Sequence, residues 1–338
     1  MPALRAWGPN PAINQPATLP STFSSFLRTM DALDRLIQLS RLQGALDLRC
    51  LLGGQWALDN PRRADGEAAY HVVLGGNCLL RLHGRPDVLL ETGDIAMLPR
   101  GDAHLLACVA DHESGIPAAD GSQTMQTRDN GAVAIHTNVD EGAANVDMLC
   151  GRFNYTPNAL LIDVLPDVVK MSFARSEVPG LAILVGMMRR EANEAAPGAQ
   201  SIVSALSTAL FTLLLRAHLE QQPSTSDILG LLANARLGPS VIAMLERPSE
   251  RWTIEMLAEQ SAMSRATYMR AFSALTTDSP MNLLARIRMQ LAGTLLARTP
   301  KSIGEIADEV GYQSESAFSK KFKDAYGVGP GRFRQSRT

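Results

Sequence analysis

Thr253–Leu275 reads TIEMLAEQSAMSRATYMRAFSAL, and Ser302–Phe322 reads SIGEIADEVGYQSESAFSKKF. Each stretch opens with a hydroxyl residue ahead of an apolar-periodic run, Thr253 before Ile254 and Leu257-Ala258, and Ser302 before Ile303 and Ile306-Ala307. A side-chain oxygen at that position accepts from a free N–H of the first helical turn, so both stretches predict capped helices. A short turn follows, containing Gly311 in the second copy and Met263 at the matching place in the first. A second capped helix then starts at Ser264 or Ser314, 50 residues apart, as are Phe272 and Phe322. Helix, tight turn and a helix with a polar face, present twice, is the helix-turn-helix pattern.

Pro280–Arg298 (PMNLLARIRMQLAGTLLAR) lies between the two units, with Leu283, Leu284, Ile287, Leu291 and Leu295 expected on one side. Nineteen helical residues make a rod of roughly 28 Å, close to the ~34 Å between successive major grooves on one face of DNA. The charge distribution agrees. Residues 238–338 carry 14 Lys and Arg against 10 Asp and Glu, whereas residues 1–237 carry 18 against 24, within a total net charge of -2. A helical bundle with solvated charges would account for the charges but not for the repeat.

Over these hundred residues the chain resembles the AraC/XylS family of bacterial transcription regulators. The resemblance rests on Ile254, Leu257-Ala258, Met263-Ser264, Phe272, Ser279-Pro280, Arg288, Leu295-Leu296, Ile303, Ile306-Ala307, Val310-Gly311-Tyr312, Ser316, Phe318-Ser319, Phe322-Lys323, Gly327, Pro330 and Arg334. Thr277 and Gly329 depart from it, at two turns. It implies a double-stranded promoter site and RNA polymerase as partners. It also implies base-facing positions at Ala266, Met269 and Arg270 in the first unit and at Ser316, Ser319 and Lys320 in the second. Arg270 suits a bidentate guanine contact, while Arg265, Lys321 and Lys323 suit phosphates.

The preceding region has another texture. Leu33, Leu36, Ile37, Leu39 and Leu42 predict an amphipathic helix running from Met30 to Gly44. From Ala45 to Asn154, short apolar runs broken by Gly, Pro, Asp and Asn predict closely spaced strands of a β-barrel or sandwich. Asp111–Gly142 is expected to interrupt them as a long mobile loop. Two apolar helices follow, one closing at Met187, Met188 and Ala192, the other built on Ile202, Leu206, Leu210, Leu213 and Leu214. They predict either a homodimer face or packing against the barrel.

GDIAMLPRGDAH, Gly93–His104, fits the second cupin signature, G-x5-P-x-G-x2-H, so this half resembles the cupin-type sensor domain of some AraC-family regulators. The expected fold class is therefore α+β: an N-terminal cupin-like β-barrel with helices, then an all-α double helix-turn-helix domain. The expected division is a disordered leader at 1–29, a sensor at 30–222, a linker at 223–237 and a DNA-binding domain at 238–338.

The first cupin signature is missing, and His71 alone stands in its place, so the usual cupin metal site is not expected. His71, His104, Cys50 and Cys150 remain as a candidate set. They are either buried barrel residues, ligands of a metal such as zinc, or, through Cys50 and Cys150, a thiol redox switch. Arg152, two positions from Cys150, is expected to lower the pKa of that thiol. The segments MDALDRLIQLSRLQGALDLRC and MLCG also resemble the sensor of regulators that respond to reactive chlorine species. A cupin metalloenzyme and a small-molecule-responsive regulator without a redox role are the competing readings. The apolar run Ala205–Leu215 is expected to be too short for a bilayer, and the Pro-rich start is unlike a secretory signal. A cytoplasmic activator with no membrane partner is the expectation.

Overall fold

The computed structural model describes residues 33–109, 125–129, 131–140, 142–175, 178, 180–194, 196–221 and 228–336. The leader expected at 1–29 lies outside them, as does the start of the expected linker.

Among the described residues helix α1 covers 33–40, and it ends four residues before the expected Gly44. Arg41 takes a left-handed φ of 51° and ends it, and strand β1 (Gln43–Leu52) begins there. Gly44 is thus a strand residue. A side chain on it would run into the backbone at Ser207 of a later helix, and its N–H donates to Thr208 Oγ1 at 2.8 Å.

Two sheets make the barrel. The larger takes β3 (Glu67–Gly75), β6 (Asp94–Leu98), β8 (Gln126–Asp129), β9 (Ala134–Thr137), β10 (Val146–Asn154) and β11 (Val169–Ser172) around β1, in the order β11-β6-β3-β10-β1-β9-β8. The smaller has β2 (Ala57–Asn60), β4 (Asn77–Leu82), β5 (Val88–Glu91) and β7 (His104–Ala107), in the order β2-β7-β4-β5. β8 and β9 correct the expectation of a loop across Asp111–Gly142. They extend the sheet edge, with β9 parallel to β1. Their four-residue runs, QTRD and AIHT, carry too little alternation to stand out as strands.

Alternation along the strands sorts residues between two cores. Ala69 and Val73 of β3, with Met148 and Cys150 of β10, point between the sheets, where Leu80, Leu90, Leu98 and Leu106 meet them. Tyr70, Val72, Leu149 and Phe153 point outward under two helices, α3 (Leu181–Glu194) and α4 (Ala199–Gln221). At 23 residues α4 exceeds its 11-residue apolar run and has the length and composition of a membrane span. Its Val203, Leu210, Phe211 and Leu214 are buried in the outer core instead, and Tyr70 Oη lies 2.9 Å from Ser207 Oγ. Between β10 and β11 sits a single turn, α2 (Leu160–Asp163).

From residue 228 onward the elements among the described residues are all helices: α5 (Ile228–Ala233), α6 (Gly238–Glu246), α7 (Ile254–Gln260), α8 (Arg265–Leu275), α9 (Pro280–Arg298), α10 (Ile303–Glu309), α11 (Glu315–Tyr326) and α12 (Pro330–Gln335). Residues 228–233, inside the expected linker, are helix α5, with Ile228, Leu229, Leu231 and Leu232 buried. Thr253, Ser264, Ser279, Ser302 and Ser314 all cap their helices through the side-chain oxygen, and Ser302 with Glu305 completes a capping box. α9 has the predicted bounds but is buried on more than one side. Leu283, Leu284 and Ile287 join the core of the first unit, and Met289, Ala292 and Leu296 that of the second.

Candidate functional site

In the larger sheet β3, β10 and β1 are neighbours, and this order gathers the sensor candidates. His71 on β3 pairs directly with Cys150 on β10. Cys50 on β1 pairs with Met148, which sets it diagonal to Cys150, so the two sulfurs lie 4.0 Å apart. His104 enters from β7, across the barrel. His71 Nδ1 is 3.1 Å from Cys150 Sγ, and His71 Nε2 is 2.8 Å from His104 Nε2. All four side chains are buried.

The partners fix the protons. His104 Nδ1 lies 2.8 Å from the carbonyl of Asp102, which only accepts, so Nδ1 carries the hydrogen and His104 Nε2 accepts. His71 Nε2 must then donate to His104, leaving His71 Nδ1 to accept from the Cys150 thiol. With its own hydrogen so used, Cys150 Sγ accepts from the Cys50 thiol. The result is one directed chain, Cys50 to Cys150 to His71 to His104 to Asp102. Both imidazoles in it are neutral.

Electrostatics favour the same state. Burial holds His71 well below the ordinary imidazole range, with His104 adding to the effect. Burial also lowers His104, against the opposing pull of the Asp102 carbonyl. The Cys50 sulfur beside it, then burial, push Cys150 well above the usual thiol range. This reverses the expectation drawn from Arg152, whose guanidinium pairs with Asp47, itself also facing Arg63. Arg49 points away from Cys50, as alternation requires, and its Nε and Nη2 donate to the two Asp147 oxygens at 2.7 Å each. Of the other cysteines, burial pushes Cys78 up to about 12, and Cys108 is also buried.

The four side chains form a chain, not a cage. Two imidazoles on one tetrahedral zinc keep their nitrogens about 3.3 Å apart, and here every ring nitrogen is occupied by a hydrogen bond. Among the described residues, no group of three or more His, Cys, Asp or Glu is arranged to hold a metal ion. The residues as placed do not fit zinc.

The second site is the exposed face of the two units. Tyr268 and Phe272 turn α8 inward, as Phe318 and Phe322 turn α11. Ala266, Arg270, Ser316, Lys320, Lys321 and Lys323 are thereby exposed, with Met269 and Ser319 half-buried. Arg265 Nε meets Glu255 at 2.8 Å, both largely in solvent, where such a pair contributes little and yields readily to a phosphate. The two turns differ from the expected alignment. The left-handed residue matching Gly311 (φ 87°) is Ala262 (φ 49°), not Met263. The first helices are 49 residues apart and the second 50, because the second turn holds one residue more. Arg288 lies with its guanidinium over Tyr312 of that turn and donates to the carbonyls of Pro248 and Glu250, in the loop before α7, at 2.7 and 2.8 Å.

A sensor-like barrel carrying a buried polar chain, joined to two capped helix-turn-helix units with open outer faces, defines a one-chain DNA-binding regulator. The chain matches the Cupin family over residues 31–220 and the Helix-turn-helix domain family over residues 257–336. It is 34% identical over 312 residues to the HTH-type transcriptional regulator MtrA of Neisseria gonorrhoeae, covering 90% of this chain and 98% of the relative. An uncharacterized HTH-type transcriptional regulator of Haemophilus influenzae is 33% identical over 307 residues (91% and 99%). The RCS-specific HTH-type transcriptional activator RclR of Escherichia coli K12 is 30% identical over 308 residues (90% and 98%). The protein belongs to the AraC-type transcription regulators with a cupin N-terminal domain.

Proposed function

We propose that this regulator reads an oxidant through Cys50 and Cys150 and answers by changing its hold on promoter DNA. The supporting observation is the 4.0 Å separation of two buried thiols on adjacent strands. Closing it to a disulfide bond of ~2.05 Å draws the sulfurs together by about 2 Å, a displacement applied directly to β1 and β10. With hypochlorous acid as the oxidant, one sulfur takes the chlorine and releases water, and the second sulfur displaces chloride. Two thiols and one HOCl thus give a disulfide, HCl and H2O. A relative named as RCS-specific favours this class of oxidant.

On this reading the barrel senses and does not catalyse, and the protein works in the cytoplasm. Arg270, with Ala266 and Met269, reads one major groove, and Ser316, Ser319 and Lys320 read the next. Arg265, Lys321 and Lys323 meet phosphates, and promoter-bound protein engages RNA polymerase. Ile183 and Met187 on α3, with Ile202 on α4, are exposed apolar residues and supply the surface for a homodimer.

The experiment treats wild type, Cys50→Ser and Cys150→Ser with hypochlorous acid, locates the modified sulfurs by mass spectrometry and measures DNA affinity. A Cys50–Cys150 disulfide with altered affinity, lost in both variants, is expected. An unchanged affinity in oxidised wild type, or a response surviving both substitutions, overturns the redox reading and leaves a small-molecule signal.

A further inference from the structure

The barrel holds the two helix-turn-helix units by different means. Trp252, Leu257, Ala258, Tyr268 and Phe272 of the first unit share one apolar core with Leu161 and Ile162 of α2, the buried face of α5 and the outer face of the large sheet. The second unit has a separate core of Ile306, Val310, Phe318, Phe322 and Phe333, closed by Met289, Ala292 and Leu296 of α9; its described members all come from the DNA-binding half. Facing that unit, the barrel leaves two clefts of about 500 and 180 Å³.

The chain that stands between these clefts is the continuation of β10. Thr156 N donates to the Ser40 carbonyl at 2.8 Å. Asn158 adopts a left-handed φ of 59°, and its Nδ2 donates to the carbonyl of Ala325, near the end of α11, at 2.6 Å. The first two-thirds of α9 are gripped more firmly. The Gln290 amide, 1% exposed, accepts from Leu160 N at 3.2 Å and donates to Ser40 Oγ at 3.3 Å, and Arg286 meets Asp163 at 2.6 Å.

We propose that the barrel controls DNA binding through the second helix-turn-helix unit, with the first as a fixed anchor and Asn158 as the tether that orients α11. An apolar core shared across many side chains does not slide in small steps, because close-packed interiors resist displacement. A hydrogen bond spanning open clefts follows the strand that carries it. Asn158 follows the end of β10 by four residues, and Cys150 lies on that strand, eight residues before Asn158. The tether stands whatever the signal is; its use by an oxidant rests on the thiol reading.

The test uses the full chain and two substitutions, Asn158→Gly, which suits the left-handed backbone and removes the donor, and Asn158→Asp, which keeps the shape without the N–H. Without DNA, amide hydrogen exchange should quicken across 303–326 and stay unchanged across 254–275. On a DNA site obtained by in vitro selection, half-sites are first assigned with Arg270→Ala and Lys320→Ala. Protection of the α11 half-site should then fall about five-fold in the Asn158 variants, the equivalent of one net hydrogen bond, and the α8 half-site should hold. Equal change in both units, or no change in either, overturns the tether. Failure to select any site counts against the DNA-reading assignment, and the exchange measurement still decides the tether.

Discussion

His71 Nε2 lies 2.8 Å from His104 Nε2, so one imidazole donates to the other from opposite walls of the barrel. That contact needs one bare nitrogen. Protonating His104 would set two N–H groups against each other, and protonating His71 at Nδ1 would set an N–H against the Cys150 thiol hydrogen.

The pH dependence follows from this arrangement. Both histidines have native pKa values lowered from 6.5, so the unfolded chain binds more protons as pH falls below that value. Their stabilisation is complete above pH ~6.5 and is lost on acidification, at up to about 1.4 kcal/mol per pH unit for each ring. The melting temperature should fall between pH 7 and 5, and less steeply in His104→Gln. A flat profile in wild type would count against neutral imidazoles.

Arg270→Ala should weaken binding to the selected site by ~1 to 3 kcal/mol and relax preference at one base pair. Lys323→Ala should weaken all sequences alike. Competition with random DNA separates the two, and equal losses for Arg270→Ala on both DNAs would remove it as a base reader.

Residues 228–338 should fold as an isolated fragment and bind DNA, and 238–338 should melt lower or aggregate. The longer fragment keeps α5, whose Leu231 and Leu232 are buried, and each such side chain contributes roughly 1.5 to 3 kcal/mol. Identical thermal melts for the two fragments would place α5 with the barrel.

The two turn residues should respond oppositely. Gly311→Ala puts a methyl group 2.7 Å from the Ser249 carbonyl oxygen at a φ of 87°, costing about 1 to 3 kcal/mol. Ala262→Gly relieves a left-handed alanine and should remain within about 1 kcal/mol of wild type. Denaturant titration of both variants checks this.

Ile183 is 71% exposed on α3. If α3 and α4 pair two copies, Ile183→Asp should shift sedimentation from dimer toward monomer without lowering the melting temperature of the monomer. A wild type that sediments as monomer at every concentration would remove the dimer.

The second half of the chain was legible because its rules are local. Four hydroxyl caps, the 50-residue echo of Ser264 in Ser314 and of Phe272 in Phe322, and the bounds of α9 all follow from patterns within the chain. The barrel was legible in kind but not in detail. β8 and β9 have no pattern of their own and exist because β1 offers them an edge, and Gly44 is a strand residue because α4 lies on it.

The sequence by itself determined the two helix-turn-helix units, the barrel ahead of them and which side chains were chemically worth following. Only the tertiary structure decided what those side chains do to one another. Strand order brings Cys50 within 4.0 Å of Cys150 across 100 residues of chain. The adjacent Cys50 and burial raise the Cys150 thiol where its neighbour in sequence, Arg152, suggested the reverse, and Arg152 itself pairs with Asp47. The joining of the turn after β10 to α11 through Asn158 and Ala325 is likewise a tertiary fact. Hydrogen bonds and desolvation act between groups close in space, and sequence spacing fixes such distances only within a helix, a strand or a turn.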